Sequence, residues 1–193
     1  EIWYSEGSAP CNLSELTVQA DQSGLVGKNS AIDIANRIIN SYYNGKMCMY
    51  EFRPAIAANY DGAYDEPKHL IAAQEPWSGF YRLDSGFWMA MHFSRFSPKG
   101  WLFVNGACYG DGEENHAIEH TSHNFMTLVS PDRSEMTMHF TNEDLFPRTY
   151  SVQLKDMGFT NRMLSTVITT GPNPGEAFDA NWFRRGKPIK PSH

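Results

Sequence analysis

Glu6 is the residue in this chain whose type and place suit carboxylate chemistry. It ends the run Ile2-Trp3-Tyr4-Ser5-Glu6 and is followed by Gly7. The bulky residues ahead of it predict a short buried strand over Ile2–Ser5, and the glycine after it leaves room for another molecule to approach. A carboxylate at the carboxyl end of a parallel strand is where (β/α)8 barrels place their catalytic groups, and such a group can attack a carbon or exchange a proton. The pattern by itself leaves two readings open, a catalytic carboxylate and a surface glutamate beside a strand end.

Other chemistry-bearing residues point to less. His116, His120 and His123 cluster, but on a strand the i, i+3 pair His120/His123 faces opposite ways and does not chelate one ion. They read as hydrogen-bonded side chains, and no metal is expected. His92 and His139 stand among apolar residues and read as core or rim. The three cysteines, Cys11, Cys48 and Cys108, contain no CxxC pair. They allow one disulfide and exclude a disulfide framework or a cysteine zinc site. Asn12-Leu13-Ser14 matches the glycosylation triplet. With no glycine-rich phosphate loop and no Ser-His-Asp motif, no cofactor is expected.

The elements that must position Glu6 follow a clear order. Pro10–Lys28 is polar and reads as a loop. Ser30–Tyr43 is the clearest helix, with Ile34, Ala35, Ile38, Ile39 and Tyr42 on one stripe, Ser30 and Asp33 resembling a capping box, and Gly45 at the stop. Met47–Phe52 predicts a second strand. Strand, loop, helix, strand suits a parallel α/β unit. Glu66–Ala73 reads as a short helix, and an aromatic-rich stretch runs from Phe80 to Phe96. From Pro98 onward short strands alternate with turn residues: Trp101–Asn105, Ala117–Thr121, Phe125–Val129, Glu135–Thr141, Arg148–Leu154 and Leu164–Thr170. That spacing suggests an antiparallel sandwich, ending in a basic, proline-bearing tail.

The 193 residues are 41% hydrophobic with a net charge of −6 and no acidic or basic block, which argues against nucleic acid or an anionic membrane as the main partner. No apolar run approaches the ~18 residues of a spanning helix. Aromatics make up 13%. They suit either a large core or a surface that stacks on sugar rings, and composition favours the core.

Six blocks in order carry a resemblance: IWYSEG (2–7), NSYYNGKM (40–47), AAQEPWSGFY (72–81), FSPKGW (96–101), IEHTSH (118–123) and TVITTG (166–171). Together they resemble glycoside hydrolase family 59, the galactosylceramidase family, collinearly over nearly the whole chain. The resemblance implies a fold that is α/β plus all-β. Residues 1–97 would form the C-terminal strands and helices of a (β/α)8 TIM barrel, and residues 98–193 an antiparallel β-sandwich. The chain would begin at the seventh barrel strand, so its partners would be the remainder of the barrel and a carbohydrate or glycolipid substrate. The implied compartment is secreted or lysosome-like.

The activity implied is removal of a terminal β-linked galactose with retention, part of sphingolipid metabolism. Glu6, in Trp-x-Ser-Glu, falls on the nucleophile's place. Retention needs a second carboxyl group ~5–5.5 Å away. The resemblance puts that acid/base glutamate on an earlier strand, so the chain alone is expected to be inactive. Substrate contacts fall on Trp3, Ser5, Phe52, Arg53, Glu75 and Trp77. Glu75 reads equally as a structural acid, and Trp77 more readily as a packing residue. Two positions depart from the family. Arg53 stands where a tryptophan stacks on the sugar, and Ser130 where an arginine reaches it; Phe52, Arg53 or Arg133 are the candidate replacements. The alternatives are a non-catalytic carbohydrate-binding sandwich and an inactive fragment.

Overall fold

The computed structural model describes residues 1–8, 24–25, 30–58, 69–73, 76–110, 124–144, 146–154, 162–177 and 179–191. Helix α1 (Ala31–Tyr43) forms where the apolar stripe predicts it. The Ser30 side chain accepts from the Asp33 N–H at 3.3 Å, satisfying one of the helix's free donors. The Asp33 carboxylate accepts from Arg37 one turn on, at 2.9 Å. At the other end the N–H groups of Asn44 and Gly45 both donate to the Asn40 carbonyl, and the chain reverses at Lys46, whose φ is 52°.

Strand β1 (Trp3–Ser8) pairs in parallel with β2 (Met49–Arg53), and α1 connects them, giving the strand–helix–strand unit that the sequence order predicts. Ile34, Ala35, Ile38 and Ala31 bury one face of α1, with Tyr50 and Phe52 of β2 packed against them. Each fully buried isoleucine contributes roughly 1.5–3 kcal/mol. β1 is longer than expected and is not a buried strand: Trp3 remains 57% exposed.

Gly7 lies against the ring of Tyr50. A Cβ added there would sit 2.6 Å from Cε1 of that ring, which is itself stacked on Tyr4 at 4.6 Å. Gly7→Ala should therefore displace a packed ring and lower stability by about 1–2 kcal/mol, read as a lower urea midpoint.

A second small sheet joins β3 (Ile56–Ala58), β4 (Ile71–Ala73) and β5 (Arg82–Leu83), parallel and then antiparallel. This overturns the helix expected over Glu66–Ala73 in its described part. Ile71, Ala72 and Ala73 are buried or half-buried in succession, so both faces of β4 are covered, and pairing with β3 outweighs the helix propensity of alanine. The start of β4 and the start of helix α2 (Ser85–Phe96) are tied by side chains: buried His69 Nε2 is 2.5 Å from Asp84 Oδ2, and Arg82 Nε donates to Asp84 Oδ1 at 2.8 Å. Nothing in the sequence marks His69, because its partner lies fifteen residues away.

The C-terminal half contains β6 (Leu102–Phe103), β7 (Phe125–Val129) and β8 (Met136–Phe140) in one antiparallel sheet, and β9 (Val167–Ile168) with β10 (Arg184–Arg185) in another. Residues 148–154 are described without strand structure; Tyr150 there packs its ring on Phe140 at 4.8 Å. The expected strand Ala117–Thr121 lies outside the described residues. The two halves share side chains. Ile39 and Tyr43 of α1 pack with Met126, Leu128 and Cys108, and Asn36 Nδ2 donates to Glu143 at 3.1 Å.

Between α2 and β8 two histidines meet apolar surface, as their sequence surroundings predict. His139 is buried, stacked on Phe93 at 5.0 Å, with Nε2 2.9 Å from the Ser97 hydroxyl. His92 Nε2 lies 2.8 Å from the Thr169 hydroxyl.

Candidate functional site

The face of the β1–β2 pair that points away from α1 carries the candidate chemistry. Along β2 alternate residues switch sides. Tyr50 and Phe52 turn toward the helix, while Met49, Glu51 and Arg53 are exposed on the other side. Along β1 the register shifts between Tyr4 and Gly7: Tyr4 pairs with Tyr50, and Gly7 with Phe52. Ser5 and Glu6 together thus oppose Glu51, a β-bulge. Regular alternation would turn Glu6 to the side of Tyr4. The extra residue turns it instead to the side of Arg53.

There Arg53 Nη1 donates to Glu6 Oε1 at 2.9 Å. The two side chains are 64% (Glu6) and 65% (Arg53) exposed, so the pair adds little to folding, on the order of 0.2–1 kcal/mol. Among the described residues, Glu6 Oε2 has no hydrogen-bond partner. The arrangement presents a carboxylate with one oxygen tied and the other open, beside an exposed Trp3 on a sheet face. A group held in this way can attack an electrophilic carbon or accept a proton.

Of the residues expected at the site, Trp3, Glu6 and Arg53 lie on this face, and Ser5 is exposed within the bulge. Phe52 is on the opposite side, against the α1 core and 5.1 Å from the Tyr50 ring. Glu75 lies outside the described residues. Trp77, expected to pack, is 74% exposed in a short helical turn, Pro76–Ser78. Glu51 is a second carboxylate on the Arg53 side of β2 that sequence reading passed over; strand alternation from Arg53 was the available signal.

Ser130 and Arg133 belong to the turn between β7 and β8. The Ser130 hydroxyl donates to Asp132 at 2.6 Å and accepts from the Glu135 N–H at 3.0 Å. Its hydrogen bond to Asp132 holds that carboxyl below the usual range, helped by the N–H and hydroxyl of Ser134. Arg133 takes φ of 56° there. Cys48 and Cys108 are free thiols, and burial pushes the Cys108 thiol up. His116, His120, His123, Cys11 and Asn12 lie outside the described residues. Among the described residues no three His, Cys, Asp or Glu side chains converge as a metal site, and no helix is long and apolar enough to cross a membrane.

Residues 1–95, which contain this face, match the family model for Glycosyl hydrolase family 59, just under half of the chain. Similar proteins include several galactocerebrosidases. That of Danio rerio is 36% identical over 81 residues, 42% of this chain and 12% of the relative. That of Homo sapiens is 31% identical over 108 residues, 49% of this chain and 16% of the relative. That of Mus musculus is 29% identical over 119 residues, 55% and 17%. The chain thus matches less than a fifth of the length of these relatives.

Proposed function

We propose that this chain is part of a retaining glycoside hydrolase that removes a terminal β-linked galactose from a glycolipid or related β-galactoside, with Glu6 as nucleophile. The observation that carries the reading is the family match over residues 1–95. Within it, Glu6 stands on an open sheet face with one carboxylate oxygen unengaged. On this reading residues 1–97 supply the last strands and helices of a (β/α)8 barrel, and residues 98–193 an antiparallel β-sandwich. The free edges of β1 and β2 then receive further barrel strands, as unpaired edges require, and the face that carries Glu6 stays open. The compartment proposed is secreted or lysosome-like, as the resemblance implies.

Two displacements complete the reaction. A lone pair on Glu6 Oε2 forms a bond to the anomeric carbon while the bond from that carbon to the aglycone oxygen breaks. A second glutamate, on polypeptide beyond this chain, gives its proton to the leaving oxygen. That glutamate, now a base, takes a proton from water. The water oxygen bonds to the anomeric carbon, and Glu6 leaves as carboxylate. Two inversions give retention.

The test is covalent trapping. Incubating the complete enzyme with a 2-deoxy-2-fluoro-β-galactosyl fluoride should add one fluorogalactosyl group to the peptide containing Glu6, read by mass spectrometry. A label on any other carboxylate would remove Glu6 from the nucleophile's role.

A further inference from the structure

We infer that Arg53 is a positioning residue for Glu6, holding one carboxylate oxygen so that the other is aimed at the anomeric carbon. The inference rests on the nucleophile reading of Glu6 and goes beyond it. Three observations carry it.

The first is that the ion pair is placed where it does little for the fold. Both partners are about two-thirds exposed, and neither packs in the described cores. The second is the bulge. β1 gives up regular pairing at Ser5 and Glu6, and the result is that Glu6 meets Arg53 rather than facing the helix. Bulges of this kind re-aim a side chain, and here the side chain is the carboxylate. The third is the asymmetry of the contact. Arg53 Nη1 binds Oε1 alone, at 2.9 Å, and Oε2 has no partner among the described residues. A fully bidentate pair would occupy both oxygens and block attack. A one-oxygen pair restricts the carboxylate's rotation and leaves a lone pair free.

The guanidinium is suited to this task. Its donors are fixed in a planar fork, so a carboxylate bound to one of them is held in direction as well as distance. Arg53 is the last residue of β2, hydrogen-bonded to β1 through the parallel ladder, so the backbone that carries it moves with the backbone that carries Glu6. A lysine reaches the same oxygen as a mobile point charge and fixes the direction less well.

The experiment compares Arg53→Met and Arg53→Lys in the complete enzyme. Arg53→Met should lower kcat on a β-galactoside about 100-fold with KM changed less than about threefold, because a misdirected nucleophile binds substrate normally and reacts slowly. Arg53→Lys should recover about tenfold of that loss. A variant that raises KM and keeps kcat would make Arg53 a substrate contact and overturn the inference. A crystal structure of Arg53→Met gives a readout independent of turnover. The Glu6 carboxylate should leave its position by about 1 Å or more, the scale at which misplacement costs such a factor. A carboxylate that stays in place overturns the inference whatever the kinetics. The nucleophile reading fails separately, as a parent enzyme that takes no fluorogalactosyl label on Glu6.

Discussion

On the proposed reading, replacing Glu6 by Gln should lower turnover of a β-galactoside by the complete enzyme by about four orders of magnitude or more. The amide is nearly isosteric, so substrate still binds, but its oxygen is a poor nucleophile and carries no charge to offset the developing cation at the anomeric carbon. Loss of the covalent route leaves only binding and the remaining acid, the pattern seen when a nucleophile is deleted from a concerted set. KM should change far less than kcat. The folded state should change little, because the ion pair with Arg53 is solvent-exposed and contributes on the order of 0.2–1 kcal/mol. Azide added to a small-residue variant, Glu6→Ala, should restore turnover and release an α-configured galactosyl azide, since the anion attacks from the vacated side. Wild-type turnover in Glu6→Gln would end the nucleophile reading.

Acidification should weaken the junction of α2 and β8 by about 3 kcal/mol through His139 alone. Burial pushes this imidazole down to about 4 from 6.5, and His92 adds like-charge repulsion. A hydrogen bond with the Phe96 backbone works the other way. His92 is also lowered by burial, so neither ring takes up a proton readily while the packing is intact. The groups facing His139 are the Phe93 ring, the Ser97 hydroxyl and His92, with no carboxylate among them to favour the charged form.

In the unfolded chain the histidine binds a proton near pH 6.5; in the folded chain it resists until about pH 4. Its contribution to stability is therefore complete above about pH 6.5, declines as pH falls through the window to about 4, and is flat below that. Urea unfolding followed at pH 7, 5.5 and 4 should show this decline in the parent protein. A variant with no titrating group there, His139→Gln, should show a shallower one. Equal slopes in the two proteins would assign the acid sensitivity to other groups. The lysosome-like compartment proposed above would hold the protein on this slope.

The strongest local signals in the sequence correspond to the best-formed elements. The apolar stripe from Ile34 to Tyr42, preceded by Ser30, is helix α1 with Ser30 as its cap. Phe125–Val129 is a strand with the bounds its residue types suggest. The order strand, helix, strand in the first half is likewise present. These features depend on period, β-branching and capping, which a single segment carries within itself. Ile71–Ala73 departs from the helix expected over Glu66–Ala73 because three consecutive apolar residues carry no period, and their state depends on the neighbour at Ile56–Ala58. His69 and Asp84 were missed for a related reason, since a buried polar pair is visible only when both partners are placed.

For the candidate site the division is similar. Sequence alone determined that Trp3, Ser5, Glu6 and Gly7 stand together on one strand segment and that Arg53 follows the strand residues of the next. Those are facts of order and residue type. That the first strand runs on through Glu6 to Ser8 is a finding of the structure. Only the tertiary structure decided which of these side chains share a face. The bulge opposite Glu51 adds one residue to β1, and because side chains alternate with period two, that single residue reverses the side on which Glu6 emerges. It turns Glu6 to Arg53 while Phe52, next to Arg53 in the chain, points into the core. A register shift arises from the pairing of two strands, so neither strand's sequence could reveal it alone.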